Sequence, residues 1–132
     1  MNMLTMSDDL KQACRIHGLG RPTTTDQELH ALYLEQGDEQ YLAEIHNRHY
    51  ASMVRQAVIL MDGYGMGSAA DYAAGRAFDA FRRNYREGTL SVKHWLSQAC
   101  RQMCNHFLRR GQADRPDKIE FVTNVIPADE FK

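Results

Sequence analysis

The chain has 132 residues, of which 43% are hydrophobic and 25% charged, as in an ordinary soluble globular protein with one hydrophobic core. No apolar stretch approaches the ~20 residues that cross a bilayer, so we expect a cytoplasmic protein that does not bind a membrane. The net charge of −1 does not mark the whole chain as a nucleic-acid binder, but acidic residues crowd its first third, and the charged residues of 82–110 are all basic except Glu87.

Two helices are predicted near the start of the chain. The first begins at Ser7, which can cap it, and ends at Gly18. The second begins near Thr25, because Thr25 and Glu28 have the spacing of a capping box, and it ends at Gly37. Glycine and proline in the intervening stretch indicate a linker.

Two longer helices follow, over residues 38–61 and 68–85. Ser68 and Asp71 have capping-box spacing at the start of the second of them. Buried alanines on that helix would allow a close approach of its neighbour. The helix at 38–61 is predicted from side chains that recur at helical spacing: Tyr41, Leu42, Ile45, His49, Ser52, Met53, Gln56, Ile59 and Leu60.

The last predicted helix, residues 92–110, has one apolar face and one polar face. Trp95 lies on the apolar face, which predicts a core position. The opposite face carries no carboxylate and consists of His94, Ser97, Gln98, Arg101, Gln102, Asn105 and Arg109. Arginine can neutralise phosphate, and amides can hydrogen-bond base edges, so this face suits nucleic acid. A solvated face that lacks acids by chance is the alternative.

Several motifs in this chain also follow one another in a recognisable order. They are Thr25–Leu29, Gly37–Glu39, Ile45–Tyr50, Val92–Leu96, Cys100–Gln102 and Phe107–Arg110. Over roughly residues 25–112, the set resembles region 2 of an extracytoplasmic-function (ECF) sigma factor. In that family a Trp-Leu pair precedes Arg-Asn and a Leu-Arg-Arg ending, and Arg101 and Gln102 stand at the Arg-Asn positions.

The resemblance implies an all-α fold, a compact bundle of about four to five helices. The residues offer no nucleophile, base and orienting group at a usable spacing, so we expect no enzymatic activity, cofactor or metal. The resemblance implies two partners: the β′ clamp helices of core RNA polymerase, and the minus-ten element of promoter DNA with a base extruded from the stack. On this basis the expected DNA-binding residues are Lys93, His94, Gln98, Arg101, Gln102, Asn105, Arg109 and Arg110. The expected polymerase-binding residues are Arg48, Asp71, Arg76 and Asp79.

The chain departs from the family pattern in its acids and at both ends. The family has several acidic residues on the helix that corresponds to residues 68–85. This chain keeps only Asp71 of them, and Arg76 places a positive charge where the family has a negative one. Residues 1–24 form an unexplained extension, and residues 113–132 form a tail, with residues 119–126 expected to be strand-like. The second sigma DNA-binding domain is absent from residues 1–132, as in a fragment or a naturally short protein. An alternative function is therefore a sigma mimic that binds an anti-sigma factor or another regulatory protein without directing transcription.

Cys100 and Cys104 lie one helical turn apart, with His106 nearby. Such spacing can hold zinc, but a structural site needs four ligands, which Cys14 or His17 would have to complete. We favour two buried cysteines on a packed helix over a metal site. A small metal- or haem-binding helical bundle is the third functional alternative.

Overall fold

The computed structural model describes residues 24–88, 90–111 and 124–131. Within these ranges the secondary structure is helical, without a strand. The α-helices are α1 (Asp26–Gln36), α2 (Glu39–Asp62), α3 (Ala70–Asn84) and α4 (Val92–Gly111), and short 3₁₀ turns cover Gly67–Ala69 and Ala128–Phe131. The all-α class is therefore confirmed. The predicted helix at 7–18 and residues 119–123 of the strand-like piece lie outside the described residues, and residues 124–126 form no strand.

The chain divides into two compact units, one up to Arg48 and one from His49 onward. None of the helices described here combines the length and the apolar character that crossing a membrane would require. In the first unit, α1 buries Leu29, His30 and Leu32. The start of α2 buries Tyr41, Leu42 and Ile45.

Local groups satisfy the backbone at three helix ends, and those at Thr25 and Gly37 behave as predicted. The Thr25 hydroxyl accepts a hydrogen bond from the Glu28 N–H at 3.1 Å, and the Glu28 carboxylate accepts one from the Thr25 N–H at 2.9 Å. Gly37 ends α1 in the left-handed conformation, with φ of 68°. Ser91 caps α4 by accepting from the His94 N–H at 3.2 Å. These bonds satisfy terminal backbone groups that have no partner inside a helix.

The predicted capping box of Ser68 and Asp71 is wrong. No side chain caps α3, because a 3₁₀ turn runs directly into the helix. The backbone N–H groups of Ala69 and Ala70 donate to the carbonyls of Met66 and Gly67, so they need no side-chain acceptor.

The second unit is built on the packing of α3 against α4. α3 buries five alanines, whose small side chains let the two helices approach closely. Beside them the rings of Phe81, Tyr85 and Trp95 form a cluster, with centroids 5.0 Å apart for Phe81 and Tyr85 and 5.6 Å apart for Phe81 and Trp95. Trp95 is only 4% exposed, which confirms its predicted core position.

Ile59 belongs to the set of α2 side chains that recur at helical spacing, yet it is 73% exposed. The second half of α2 instead buries Met53, Ala57 and Met61, which follow one another at intervals of one helical turn. Ile59 lies two residues from both Ala57 and Met61, which places it about 200° around the helix from each. Its hydrophobic character therefore does not decide which face is buried.

Candidate nucleic-acid interface

A row of polar side chains follows the length of α4. At intervals of four, three, four and four residues, the helix places His94, Gln98, Arg101, Asn105 and Arg109 along one line. We call these five residues the polar row. Lys93 and Arg110 flank its two ends, and the whole helix contains no acidic residue. Four cationic side chains are therefore concentrated on this element without a carboxylate to offset them.

The members of the predicted DNA-binding set differ in exposure. Lys93, His94, Arg109 and Arg110 are exposed, and Gln98 and Arg101 are half-buried. The expectation that Gln102 and Asn105 lie on an open polar face is wrong, because each is only 8% exposed. A helical wheel could not have revealed this, since the residues near Gln102 belong to a part of the chain more than 20 residues away.

The cover over Gln102 is the C-terminal segment, which we define as residues 124–131. The Gln102 amide oxygen accepts hydrogen bonds from the backbone N–H groups of Val125, at 2.9 Å, and Ile126, at 2.8 Å. The Gln102 amide nitrogen donates to the Ile126 carbonyl at 2.9 Å. One side chain thus satisfies three backbone groups, which would otherwise need water or another partner.

A cleft of about 640 Å³ lies between α4 and the C-terminal segment. Its helix side consists of Gln102, Asn105, His106 and Arg109, and its other side of residues 124–128 and Phe131. The rings of His106 and Phe131 are 4.6 Å apart between centroids. Burial lowers the pKa of His106, and the neighbouring Arg110 and Arg76 charges lower it further. The imidazole is therefore neutral at pH 7, and none of the described residues that line the cleft carries a carboxylate.

Glu130 fastens the other end of the C-terminal segment to α3. Its carboxylate accepts hydrogen bonds from both the Nε and the Nη2 of Arg83, and from the Asn84 amide at 2.9 Å. Arg76 donates to the Glu130 backbone carbonyl at 3.3 Å. The bonds from Arg83, followed by that from Asn84, lower the pKa of Glu130 to about 2. The Arg83 guanidinium thus binds the Glu130 carboxylate through two of its nitrogen atoms, a geometry in which guanidinium groups also bind phosphate.

Three of the predicted polymerase-binding residues lie on α3. Asp71 is exposed and accepts a hydrogen bond from the Tyr50 hydroxyl at 2.9 Å. Burial, together with this bond and the Asp71 charge, raises the pKa of Tyr50 to about 12. Asp79 is exposed. Arg76 is half-buried, with its guanidinium 5.9 Å from the ring centroids of both Tyr72 and Phe107.

The fourth predicted polymerase contact, Arg48, belongs to the first unit and is engaged there. Its Nη1 is 3.1 Å from Asp26, and its Nε is 3.1 Å from Glu44. Glu44 is only 1% exposed, so Arg48 neutralises a carboxylate that is removed from water. A structural role for Arg48 follows from these contacts.

The two cysteines of α4 are buried, as we favoured from the sequence. The Cys100 thiol donates to the Met53 carbonyl at 3.3 Å. A hydrogen bond with Cys100, reinforced by burial, raises the pKa of Cys104, which is therefore a thiol at pH 7. Among the residues that the structure describes, no cluster of three or more His, Cys, Asp and Glu side chains could hold a metal ion.

The contribution of the C-terminal segment is the feature that sequence reasoning missed. Residues 113–132 were expected to be a tail, yet Ile126 is 2% exposed and Glu130 is bound by two side chains of α3. The available signal was the pairing of Val125 and Ile126 with acidic residues three to five positions later, followed by Phe131.

No known family model, curated protein or solved structure matches the chain.

Proposed function

We propose that this chain is a transcription domain of the ECF sigma region 2 kind, which binds core RNA polymerase and the single-stranded minus-ten element of promoter DNA. The observation that carries the proposal is the polar row of α4, with Lys93 and Arg110 at its ends and no acid on the helix. The resemblance of α4 to the family's promoter-binding helix indicates the kind of ligand, which is single-stranded promoter DNA.

The length and composition of the polar row suit a nucleic-acid strand. From His94 to Arg109 the row extends about 22 Å along the helix, enough to meet several successive phosphates. Arg109 and the flanking cations supply charge, while Gln98 and Arg101 are half-buried and therefore held in place. Ordered amide and guanidinium groups of this kind can contact base edges as well as phosphates.

The α3 surface supports the polymerase part of the proposal. Asp71 and Asp79 are both exposed on this helix and can meet a basic partner. Arg76, the residue that reverses a sign relative to the family, makes contacts within its own unit with two rings and the C-terminal segment. The reversal therefore weakens the acidic character of this surface less than the sequence indicates.

Two binding measurements test the proposal. Binding of the purified chain to core RNA polymerase, with a β′ clamp-helix fragment as competitor, should be saturable and displaced by the fragment. Binding of labelled single-stranded promoter DNA at fixed salt should weaken at least tenfold when Arg101 and Arg109 are both replaced by alanine. This corresponds to about 1.4 kcal/mol or more. Absence of both interactions at micromolar concentration contradicts the proposal.

A matched control separates loss of the polar row from loss of positive charge. Arg55 is exposed on α2, outside the polar row, and Arg55→Ala combined with Arg86→Ala removes the same charge as the test variant. We expect this control to change DNA affinity by less than about threefold, because these side chains lie off the α4 face. Equal losses in both double variants would point to non-specific attraction.

A second candidate function is a sigma mimic that binds an anti-sigma factor without directing transcription. It is favoured by the internal engagement of two residues that the resemblance assigns to partners: Asp71 accepts from Tyr50, and Gln102 binds the C-terminal segment. The two candidates differ in one outcome. A mimic binds the regulator and neither polymerase nor promoter DNA, whereas a working domain binds all three.

A further inference from the structure

We propose that the C-terminal segment is a displaceable strap that competes with single-stranded nucleic acid for α4, an inference that rests on the nucleic-acid-binding function proposed above. The segment lies over Gln102 and Asn105, two of the eight residues expected to bind DNA, and its cleft reaches a third, Arg109. Docking of the segment and full contact with a strand are therefore mutually exclusive.

The contacts at Gln102 reproduce the chemistry of base recognition. A glutamine amide reads a base by donating one hydrogen bond and accepting another, as in its pairing with adenine. Gln102 uses both of these capacities on the backbone of Val125 and Ile126. While these bonds persist, the amide oxygen already accepts two hydrogen bonds, so the amide cannot form the two-bond pairing with a base edge.

The contacts at Glu130 reproduce the chemistry of phosphate recognition. Arg83 and Asn84 converge on the Glu130 carboxylate, and the same donors would bind a phosphate oxygen in its place. The pair lies at the surface, because the Arg83 side chain is 53% exposed. An incoming phosphate can therefore reach Arg83 without prior unfolding of α3.

Hydrogen bonds to Gln102 and the ion pair of Glu130 fasten the segment, and breaking them leaves the backbone hydrogen bonds of the helices intact. Ile126 is the buried apolar residue of the segment, whereas Asn124 and residues 127–129 are exposed. The cleft of about 640 Å³ beneath it contrasts with the close packing of a protein interior. A segment held by polar bonds over an open cleft can exchange those bonds for equivalent ones to a strand.

The test measures the affinity of full-length variants for a fluorescently labelled single-stranded oligonucleotide of mixed sequence at fixed salt. Glu130→Gln removes the ion pair with Arg83, and we expect it to bind about tenfold more tightly than the wild type. A segment that is docked in about nine molecules of ten reduces the apparent affinity by this factor. Ile126→Ser, which removes the buried anchor, should bind more tightly for the same reason.

The control is Glu87→Gln, which changes the charge equally at an exposed turn after α3. It should alter affinity by less than about twofold. Hydrogen exchange supplies a readout that does not depend on charge. The Val125 and Ile126 amides, which donate to Gln102, should exchange faster when the oligonucleotide saturates the wild-type protein.

The outcomes separate the strap from the proposed function. Measurable DNA binding with no gain in either Glu130→Gln or Ile126→Ser overturns the strap and leaves the DNA-binding function standing. If saturating DNA leaves the hydrogen exchange of the Val125 and Ile126 amides unchanged, the strap is likewise overturned and the DNA-binding function stands. If none of the variants binds the oligonucleotide, the nucleic-acid function itself is overturned, and the strap with it.

Discussion

Replacement of Gln102 by alanine tests the central contact between α4 and the C-terminal segment. The change removes three hydrogen bonds to the backbone of Val125 and Ile126, each with a net value of about 1 kcal/mol. Docking of the segment should therefore weaken by about 2–3 kcal/mol. The loss in the global free energy of unfolding is limited to about 1.4 kcal/mol, because a segment that is docked in about nine molecules of ten contributes no more than this to stability.

The assay combines urea unfolding with amide hydrogen exchange resolved by residue. Gln102→Ala should accelerate exchange of the Val125 and Ile126 amides while the α3 and α4 amides keep their protection. Gln98→Ala is the matched control, since it removes the same side chain one turn earlier on the same helix. Its stability should change by less than about 0.5 kcal/mol. If Gln102→Ala and Gln98→Ala prove indistinguishable in both readouts, the described role of Gln102 is refuted.

Three further predictions concern the core, the polymerase surface and pH. Trp95→Ala should lower the free energy of unfolding, measured by urea titration, by about 3–5 kcal/mol, because the ring is buried. Tyr72→Ala is the control, and it should cost much less because the Tyr72 side chain is 61% exposed. Asp71→Arg should weaken polymerase binding at least tenfold. Tyr50→Phe removes only the hydroxyl that donates a hydrogen bond to Asp71, so it should retain polymerase binding, and equal losses in the two variants would indicate a structural effect. Because the pKa of Glu130 is lowered to about 2, its contribution to docking is present above its ordinary pKa of 4.5 and is lost as the pH falls from 4.5 towards 2. Exchange of the Ile126 amide should accordingly become faster over that interval, relative to the intrinsic exchange rate, and Glu130→Gln should abolish this dependence.

The helices could be predicted because their signals are local. Thr25 and Glu28 are three residues apart, and Gly37 ends α1 through its own backbone conformation. The core position of Trp95 followed from the spacing of apolar residues along one helix. By contrast, the expectation at Ser68 failed because a turn of backbone hydrogen bonds took over the role of the side-chain cap.

The position of the site was less predictable than its chemistry. The acid-free character of α4 can be read directly from residues 92–111, and the structure shows that these residues form one continuous helix. The exposure of the individual side chains along that helix could not be predicted from the sequence in the same way. A periodic pattern distinguishes polar from apolar faces, but it does not distinguish a polar side chain in water from one that is hydrogen-bonded under another segment.

The sequence alone thus determined the all-α class, most helix ends and the concentration of cations on α4, since each depends on residues within a few positions of one another. Only the tertiary structure decided that Gln102 binds the backbone near Ile126, and that Glu130 pairs with Arg83 across 47 residues. Such contacts depend on the complementarity of hydrogen-bonding groups that the fold brings together. For this protein they turn an apparent tail into a cover over the polar face of α4.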